Sequence, residues 1–148
     1  MTKKIVIVGA LGYLGTELCK IYSGESWRNK IIALDDRFIS ERVSQLKDWN
    51  IEFFQGHILD NKFLNKHLNN ADVVHHLAGV TDVAYTKTEA NSELDERIRS
   101  IAIDGTNNIL KNIPNNCKII FPSTHVVFEG FEHAKENILE NEPPRPIL

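Results

Sequence analysis

The sequence is poor in cysteine, in long hydrophobic runs and in excess charge of either sign. Its two cysteines, Cys19 and Cys117, lie far apart and fit no spacing of a metal site or a redox pair. The longest apolar run near the amino terminus, Ile5–Val8, is too short for a membrane span or the core of a signal peptide. A net charge of −3 gives no electrostatic reason to expect nucleic acid or an anionic membrane as a partner. We therefore expect a reduced, cytoplasmic protein with neither kind of partner.

Length and composition indicate one globular unit. The chain has 148 residues, of which 42% are hydrophobic and 25% charged, and these proportions are ordinary for a folded protein. A chain of this size buries roughly 68–70% of its unfolded surface, which is enough for one core. We expect one folded domain over residues 1–128. Residues 129–148 are acidic and end in dense proline, so we expect a surface segment that leads to a carboxyl-terminal region missing from this chain.

Short apolar runs alternate with amphipathic stretches along residues 1–128. The amphipathic stretches predict helices at Gly12–Ser23, Asp60–Leu68 (with Asp60 as the N-cap) and Asn91–Asn112. Alternation of strands and helices is typical of an α/β fold with right-handed crossovers. We predict a Rossmann-type, doubly wound parallel sheet in three α/β/α layers with strand order 3-2-1-4-5. Three of the five apolar runs are rich in Ile and Val, which suits strands buried on both faces of a parallel sheet. The five runs predict strands at Lys4–Val8, Lys30–Leu34, Ile51–Gln55, Val73–Leu77 and Lys118–Phe121.

A glycine-rich loop joins the first predicted strand to the first predicted helix. Gly9 allows a tight turn, Gly12 allows the backbone to approach a pyrophosphate, and Gly15 allows the helix to pack close to the sheet. The pyrophosphate would meet free N–H groups at the positive end of the helix dipole. No Gly-Lys-Ser/Thr follows, which excludes a P-loop. A glycine-rich turn without any ligand is the alternative interpretation.

Acidic residues end the second predicted strand at the distance expected for a dinucleotide site. A carboxylate at Asp35 accepts hydrogen bonds from both ribose hydroxyls of adenosine, and Asp36 follows it directly. Negative charge there repels a 2′-phosphate and so favours NAD over NADP. Arg37 leaves NADP as an alternative cofactor, because a guanidinium can pair with that phosphate. A solvated turn is the alternative interpretation of the two aspartates.

Five segments, from about Lys4 to Phe128, resemble the extended short-chain dehydrogenases/reductases. The nearest group is the NAD-dependent epimerases and dehydratases of nucleotide sugars. The glycine loop has that family's Gly-x-x-Gly-x-x-Gly spacing. The other segments are similar to the family's Gly-Asp-Ile/Leu-x-Asp, His-Leu-Ala-Ala/Gly, Asn-Val-x-Gly-Thr and Ser-Ser/Thr-x-x-Val-Tyr motifs, and they are Gln55–Asp60, His76–Gly79, Ile103–Thr106 and Ser123–Phe128.

The resemblance implies a role for each matching residue. The glycine loop would line the pyrophosphate, and Asp35 would hold the adenosine ribose. The segment Leu77–Gly79 would pass under the nicotinamide ribose. His57 and Ile58 would flank adenine, and Thr124 would be the catalytic Ser/Thr that bonds the substrate oxygen. The resemblance further implies a nucleotide-sugar substrate and homodimer contacts through the helix at 91–112. The implied cofactor-binding residues are Gly9, Leu11, Gly12, Tyr13, Leu14, Gly15, Asp35, Asp36, His57, Ile58, Leu77, Ala78 and Gly79.

The chain departs from the family pattern in four places. His57 replaces an Asp, Ala102 replaces an Asn and Phe128 replaces a Tyr. The family's acid/base pair, a Tyr followed four positions later by Lys, is absent. In the family that pair follows a Pro-rich acidic segment, which Glu142–Pro146 resembles, and we expect the sequence to stop just before it. Without a general base a loss of about 10²–10⁴-fold in rate is typical, so we expect weak NAD binding without turnover.

Other functions stay open at this stage. A non-catalytic NAD-binding or interaction module is the main alternative to an oxidoreductase fragment, and a methyltransferase-like Rossmann domain is a weaker one. Adjacent residues on a strand point to opposite faces, so His75 and His76 cannot chelate one metal ion and no metal site is predicted.

Overall fold

A five-stranded parallel sheet organises the part of the chain that the computed structural model describes, which is residues 2–25, 28–80, 92–130 and 137–146. Its strand order is β3-β2-β1-β4-β5, as the sequence predicted, and every neighbouring pair is parallel. The strands are β1 (Lys4–Val8), β2 (Lys30–Asp35), β3 (Glu52–Gln55), β4 (Val73–His76) and β5 (Lys118–Ile120).

Helices connect consecutive strands on both faces of this sheet. One helix, α2, was not predicted from the sequence. The predicted helix at 91–112 is built of two α-helices joined by a π-helical turn, Ser100–Gly105, and its predicted first residue, Asn91, lies outside the described residues. The α-helices are α1 (Tyr13–Ser23), α2 (Ser40–Asp48), α3 (Asn61–Leu68), α4 (Ser92–Arg99) and α5 (Thr106–Asn112), and a short 3-10 helix follows at His125–Phe128.

The strands alternate their side chains between two buried cores. On β1, Val6 faces one core with Leu64 of α3 and Ile109 of α5. Ile7 faces the other core with Cys19 of α1 and Leu46 of α2. Side chains of one strand point alternately to opposite faces, so a sheet covered on both sides needs a continuous apolar run. The two cores establish the predicted three α/β/α layers.

Asp60 is the N-cap of α3, as the sequence predicted. Its carboxylate accepts hydrogen bonds from the backbone N–H groups of Lys62 and Phe63, which would otherwise have no partner in the first turn. The helix begins directly after the segment that carries His57 and Ile58, so the cap also fixes where that segment ends.

The Pro-rich segment returns to the short 3-10 helix. The N–H of Arg145 donates to the carbonyl of Val127 over 2.6 Å, and its carbonyl accepts from the N–H of Gly130 over 2.7 Å. A Cβ at Gly130 would lie 2.2 Å from that carbonyl oxygen, so a glycine is required there. The domain boundary after residue 128 stays a prediction. Within the described ranges, no helix has the length and apolar character to cross a membrane.

Candidate functional site

A cavity of about 580 Å³ opens where the carboxyl ends of β1, β2, β3 and β4 meet the first turn of α1. Ligands of doubly wound sheets bind in the crevice at this edge, and the volume lies in the range of small-molecule sites. Twelve of the thirteen predicted cofactor-binding residues line the cavity, namely Gly9, Gly12, Tyr13, Leu14, Gly15, Asp35, Asp36, His57, Ile58, Leu77, Ala78 and Gly79. The fold therefore brings segments far apart in sequence to one place.

The glycine loop packs too tightly to hold side chains at its first and third glycines. Gly9 has a φ of +84°, and a Cβ there would lie 2.6 Å from the backbone nitrogen of Ala78 at the end of β4. A Cβ at Gly15 would lie 2.2 Å from the carbonyl oxygen of Gly9. Gly15 thus allows α1 to sit against the loop, and Gly9 allows the loop to sit against β4.

Helix α1 directs its amino terminus into the cavity. Its N-cap is Gly12, which has no side chain to satisfy the first N–H groups of the helix. Those N–H groups, together with the helix dipole, favour an anion such as a pyrophosphate. Tyr13 is 80% exposed and Leu14 is 59% exposed, so both large side chains stand at the cavity with exposed surface that can cover a ligand.

Asp35 is the buried carboxylate at the end of β2. One of its oxygens, Oδ2, accepts from the N–H of Leu11 over 2.8 Å and from Nη2 of Arg37 over 3.3 Å. The other, Oδ1, accepts from the N–H of Arg37 over 3.1 Å and from its Nε over 3.0 Å. The Arg37 side chain therefore bonds both carboxylate oxygens, and the N–H of Leu11 links the carboxylate to the glycine loop.

Asp35 is held in its charged form. Burial by itself would raise the pKa of this carboxyl, but the hydrogen bonds from Arg37 and Leu11 and the positive charge of Arg37 outweigh burial and lower it below its usual value. The site thus presents a fixed negative charge beside the positive end of α1.

The opposite wall of the cavity is formed by the segment that precedes α3. His57 turns back on its own chain, where its Nδ1 accepts from the N–H of Leu59 over 3.1 Å. In the neutral imidazole this bond leaves the proton on Nε2, which is then a donor. Ile58 is wedged against the π-helical turn, because a Cβ at Gly105 would lie 2.3 Å from its Cδ1.

Two arginines that sequence reasoning did not select also line the cavity. Arg42 of α2 donates to the carbonyl of Leu11, and Arg97 of α4 lines the same cavity. With Arg37, three guanidinium groups and the carboxylates of Asp35 and Asp36 line the cavity. The surplus positive charge suits a ligand with phosphate groups. Neither arginine lies in a motif, so only the fold reveals their position.

Two predicted residues lie outside the cavity lining. The side chain of Leu11 is fully buried in the core beside α1, and Leu11 contributes to the site through its N–H bond to Asp35. Thr124 is exposed just before the short 3-10 helix, and its carbonyl accepts from the N–H of Val127 over 3.4 Å. Its catalytic role stays a prediction.

His75 and His76 point to opposite faces of β4. Nε2 of His75 bonds the hydroxyl of Tyr22 on α1 over 2.9 Å, whereas Nε2 of His76 bonds the hydroxyl of Thr106 on α5 over 2.9 Å. The two imidazoles thus bond helices on opposite faces of the sheet, as the alternation of side chains along a strand predicts. Across the described ranges, no group of three His, Cys, Asp or Glu residues is placed to hold a metal ion.

The sequence that forms this site matches a known protein family. Residues 6–145 match the 3-beta hydroxysteroid dehydrogenase/isomerase family. The match covers the glycine loop, the end of β2, the segment before α3 and the end of β4, which are the parts of the chain that form the cavity.

Two curated relatives act on sugar nucleotides according to their names. A dTDP-D-glucose 4,6-dehydratase of Dictyostelium discoideum is 31% identical over 135 residues, which is 85% of this chain and 30% of that protein. A UDP-N-acetyl-alpha-D-glucosaminuronate decarboxylase of Bacillus cytotoxicus is 30% identical over 131 residues, which is 86% of this chain and 38% of that protein. The chain thus spans well under half the length of these relatives.

A solved structure shares the fold over nearly the whole chain. The UDP-glucose 4-epimerase of Brucella ovis in complex with NAD superposes with a TM-score of 0.75 at 21% identity, covering 99% of this chain and 42% of that one. The parallel sheet and its helices therefore form a Rossmann-type fold. The resemblance read from the motifs to the NAD-dependent epimerases and dehydratases is confirmed.

Proposed function

Because the chain belongs to the 3-beta hydroxysteroid dehydrogenase/isomerase family, we propose that it binds NAD in the cavity at the carboxyl ends of its strands. The observation that carries the proposal is the convergence of the glycine loop, Asp35, His57 and the end of β4 on one cavity. In this assignment the chain is the NAD-binding portion of an epimerase- or dehydratase-type oxidoreductase that acts on nucleotide sugars.

The cavity suits the parts of the dinucleotide in order. The N–H groups at the start of α1 would hold the pyrophosphate, and the carboxylate of Asp35 would accept the ribose hydroxyls of adenosine. Ile58 supplies an apolar wall for adenine, and the Nε2–H of His57 supplies a donor to a ring nitrogen. The nicotinamide ribose would lie along Leu77–Gly79. When bound, NAD supplies the carbon that takes a hydride from the substrate.

The buried charge of Asp35 supports NAD over NADP. A 2′-phosphate on the adenosine ribose would lie against this carboxylate, whose lowered pKa keeps it ionised near neutral pH. Arg37, whose guanidinium bonds both oxygens of Asp35, is close enough to pair with such a phosphate, but the negative charge of Asp35 would still lie beside that phosphate. We therefore expect NAD to bind more tightly than NADP.

The nucleotide-sugar substrate is supported by the names of the dehydratase and decarboxylase relatives. We further propose that these 148 residues, supplied alone, bind the cofactor but do not turn over a sugar nucleotide. None of the three tyrosines, Tyr13, Tyr22 and Tyr85, is followed by Lys at the fourth position. The hydroxyl of Thr124 is a poor base near neutral pH, so Thr124 does not replace the phenolate of that pair.

Calorimetric titration with NAD tests the proposal. We expect measurable binding by the native chain and at least about tenfold weaker binding by Asp35→Asn, since a hydrogen bond to a charged group is worth about 1.5–3 kcal/mol. Asp48→Asn removes the same charge from the exposed end of α2, outside the cavity, and should bind like the native chain. Absence of NAD binding at millimolar concentration would refute the cofactor assignment.

A second assay separates the enzyme fragment from the main alternative, a non-catalytic NAD-binding module. Incubation of the purified chain with NAD and a UDP- or dTDP-sugar should leave the sugar nucleotide unchanged in chromatography. Product formation is the readout because an epimerase or dehydratase returns the hydride to the sugar and leaves no net NADH. Conversion of the sugar nucleotide would show that the 148 residues contain a complete active site and would overturn the proposed lack of turnover. The carboxyl-terminal part of a relative, which this chain does not match, can be added as a separate polypeptide. If that addition gives turnover, the chain acts as part of an enzyme, whereas a non-catalytic module would bind NAD and still show no turnover.

A further inference from the structure

The hydrogen bonds to Asp35 leave no room for a ribose diol in this conformation. A carboxylate offers about four lone-pair sites, and four N–H donors already occupy them. Oδ1 accepts from the backbone N–H and the Nε of Arg37. Oδ2 accepts from the N–H of Leu11 and the Nη2 of Arg37. A diol that needs one acceptor site on each oxygen must therefore remove two of these donors.

Two of the four donors belong to the backbone and two to a side chain, and only the side chain can move without a change in the fold. The N–H groups of Leu11 and Arg37 belong to the backbone of the loop and the turn, and they are fixed by the fold. The other two donors belong to the Arg37 side chain, which is 54% exposed. If only that side chain swings away, one acceptor site opens on each oxygen. This is the pattern that two neighbouring hydroxyls require.

The Arg37 guanidinium also reaches over the glycine loop. Its Nη2 lies 3.9 Å from the position that a Cβ would take at Gly12, at the N-cap of α1. The same group is therefore in the way of a dinucleotide at two places, the ribose end and the pyrophosphate end of the cavity. Within the described part of the chain, the guanidinium has one other acidic neighbour, Asp36. The carboxylate of Asp36 lies 3.9 Å from Nε of Arg37 and is half exposed.

We propose that the Arg37 side chain occupies the adenosine-ribose subsite of the free protein and that a ribose diol binds by displacing it from Asp35. The inference rests on the proposed NAD site. Arg37 is in this view a residue that sets cofactor affinity by competing with the ligand for one carboxylate. The carboxylate never loses all its partners, because the two backbone N–H groups remain in place when the side chain leaves.

Replacement of Arg37 tests the competition. An ion pair with one largely exposed partner is weak, so we expect Arg37→Gln to bind adenosine about two- to fivefold more tightly than the native chain. Adenosine is the probe because it carries the diol without phosphates, so a lost attraction between Arg37 and the pyrophosphate does not enter. Lys47→Gln removes one positive charge from an exposed site on α2 outside the cavity and should leave the affinity unchanged.

A second variant guards against a general loss of structure. Arg37→Lys keeps the charge but offers a single nitrogen that cannot span both oxygens, and its adenosine affinity should lie between those of the native chain and Arg37→Gln. Equal or weaker adenosine binding by folded Arg37→Gln, as judged by its melting curve, would overturn the competition even where NAD binds the native chain. Failure of the native chain to bind NAD would instead overturn the proposed function.

Discussion

Gly15 is the residue on which the candidate site depends most directly. A Cβ there would meet the carbonyl oxygen of Gly9 at 2.2 Å and the Cα of Ala10 at 2.7 Å, both of them backbone atoms that cannot rotate away. The helix would have to move outward from the loop, and its first N–H groups would move with it. A change of one hydrogen to one methyl group therefore alters both the packing and the anion site.

Gly15→Ala should lower the free energy of unfolding by about 1–3 kcal/mol, the range of overpacked sites, and abolish NAD binding. Urea denaturation and NAD titration measure the two effects. Gly24→Ala, at the C-cap of the same helix, is the matched control, because Gly24 has an ordinary helical conformation and a Cβ there would meet the carbonyl oxygen of Ile21 at 3.8 Å, an ordinary van der Waals contact. It should leave stability unchanged or raise it by about 0.4–1 kcal/mol. Native-like binding by Gly15→Ala would contradict this account of the loop.

At the scale of elements, the sequence predicted what hydrophobic pattern and glycine spacing determine. The five strands, their order and α1 and α3 follow from buried runs such as Ile5–Val8 and from caps such as Asp60. Helix α2 was not predicted because only Leu46 of its nine residues is buried, so the helix has no long apolar stripe. The π-helical turn was not predicted either, since the apolar spacing of residues 91–112 fits an uninterrupted α-helix equally well.

The contents of the site were predicted less completely than its position. Motifs named the loop and Asp35, but the pairing of Asp35 with Arg37 depends on the turn after β2, whose geometry no periodicity encodes. Arg42 and Arg97 reach the cavity from two different helices, α2 and α4. Such residues belong to no local pattern, so tertiary structure alone brings them to the site.

The helix that spans α4, the π-helical turn and α5 carries the next prediction. Ile103 is 50% exposed and Leu110 is 48% exposed, and the family resemblance implies dimer contacts here. We propose that they contribute to a homodimer interface. Ile103→Glu with Leu110→Glu should therefore shift a dimer to monomer in sedimentation velocity. Ile21→Glu, at a 70% exposed position on α1, should not. A dimer that persists in the double variant would place the interface elsewhere.

At the scale of the whole molecule, the buried histidines His67, His75 and His76 link folding to pH. His67 lies between the rings of Phe54 and Phe63, while His75 and His76 bond neutral hydroxyl groups. Burial lowers the pKa of all three, and the positive charges of Lys66 and Lys4 near His67 and of Lys118 near His75 lower it further. Each is therefore neutral in the folded protein at a pH where the unfolded chain already binds a proton.

Stability should accordingly be full above the unfolded pKa of about 6.5 and fall as the pH decreases below it, because the unfolded chain then takes up more protons than the folded one. Each histidine contributes at most about 1.4 kcal/mol per pH unit, so urea denaturation at pH 7.5, 6.5 and 5.5 should show a loss that steepens toward the lowest value. His67→Phe removes one titrating group from an aromatic cluster and should reduce that slope by about a third. A free energy of unfolding that stays constant over this range would show that the three imidazoles titrate alike in the folded and unfolded chain.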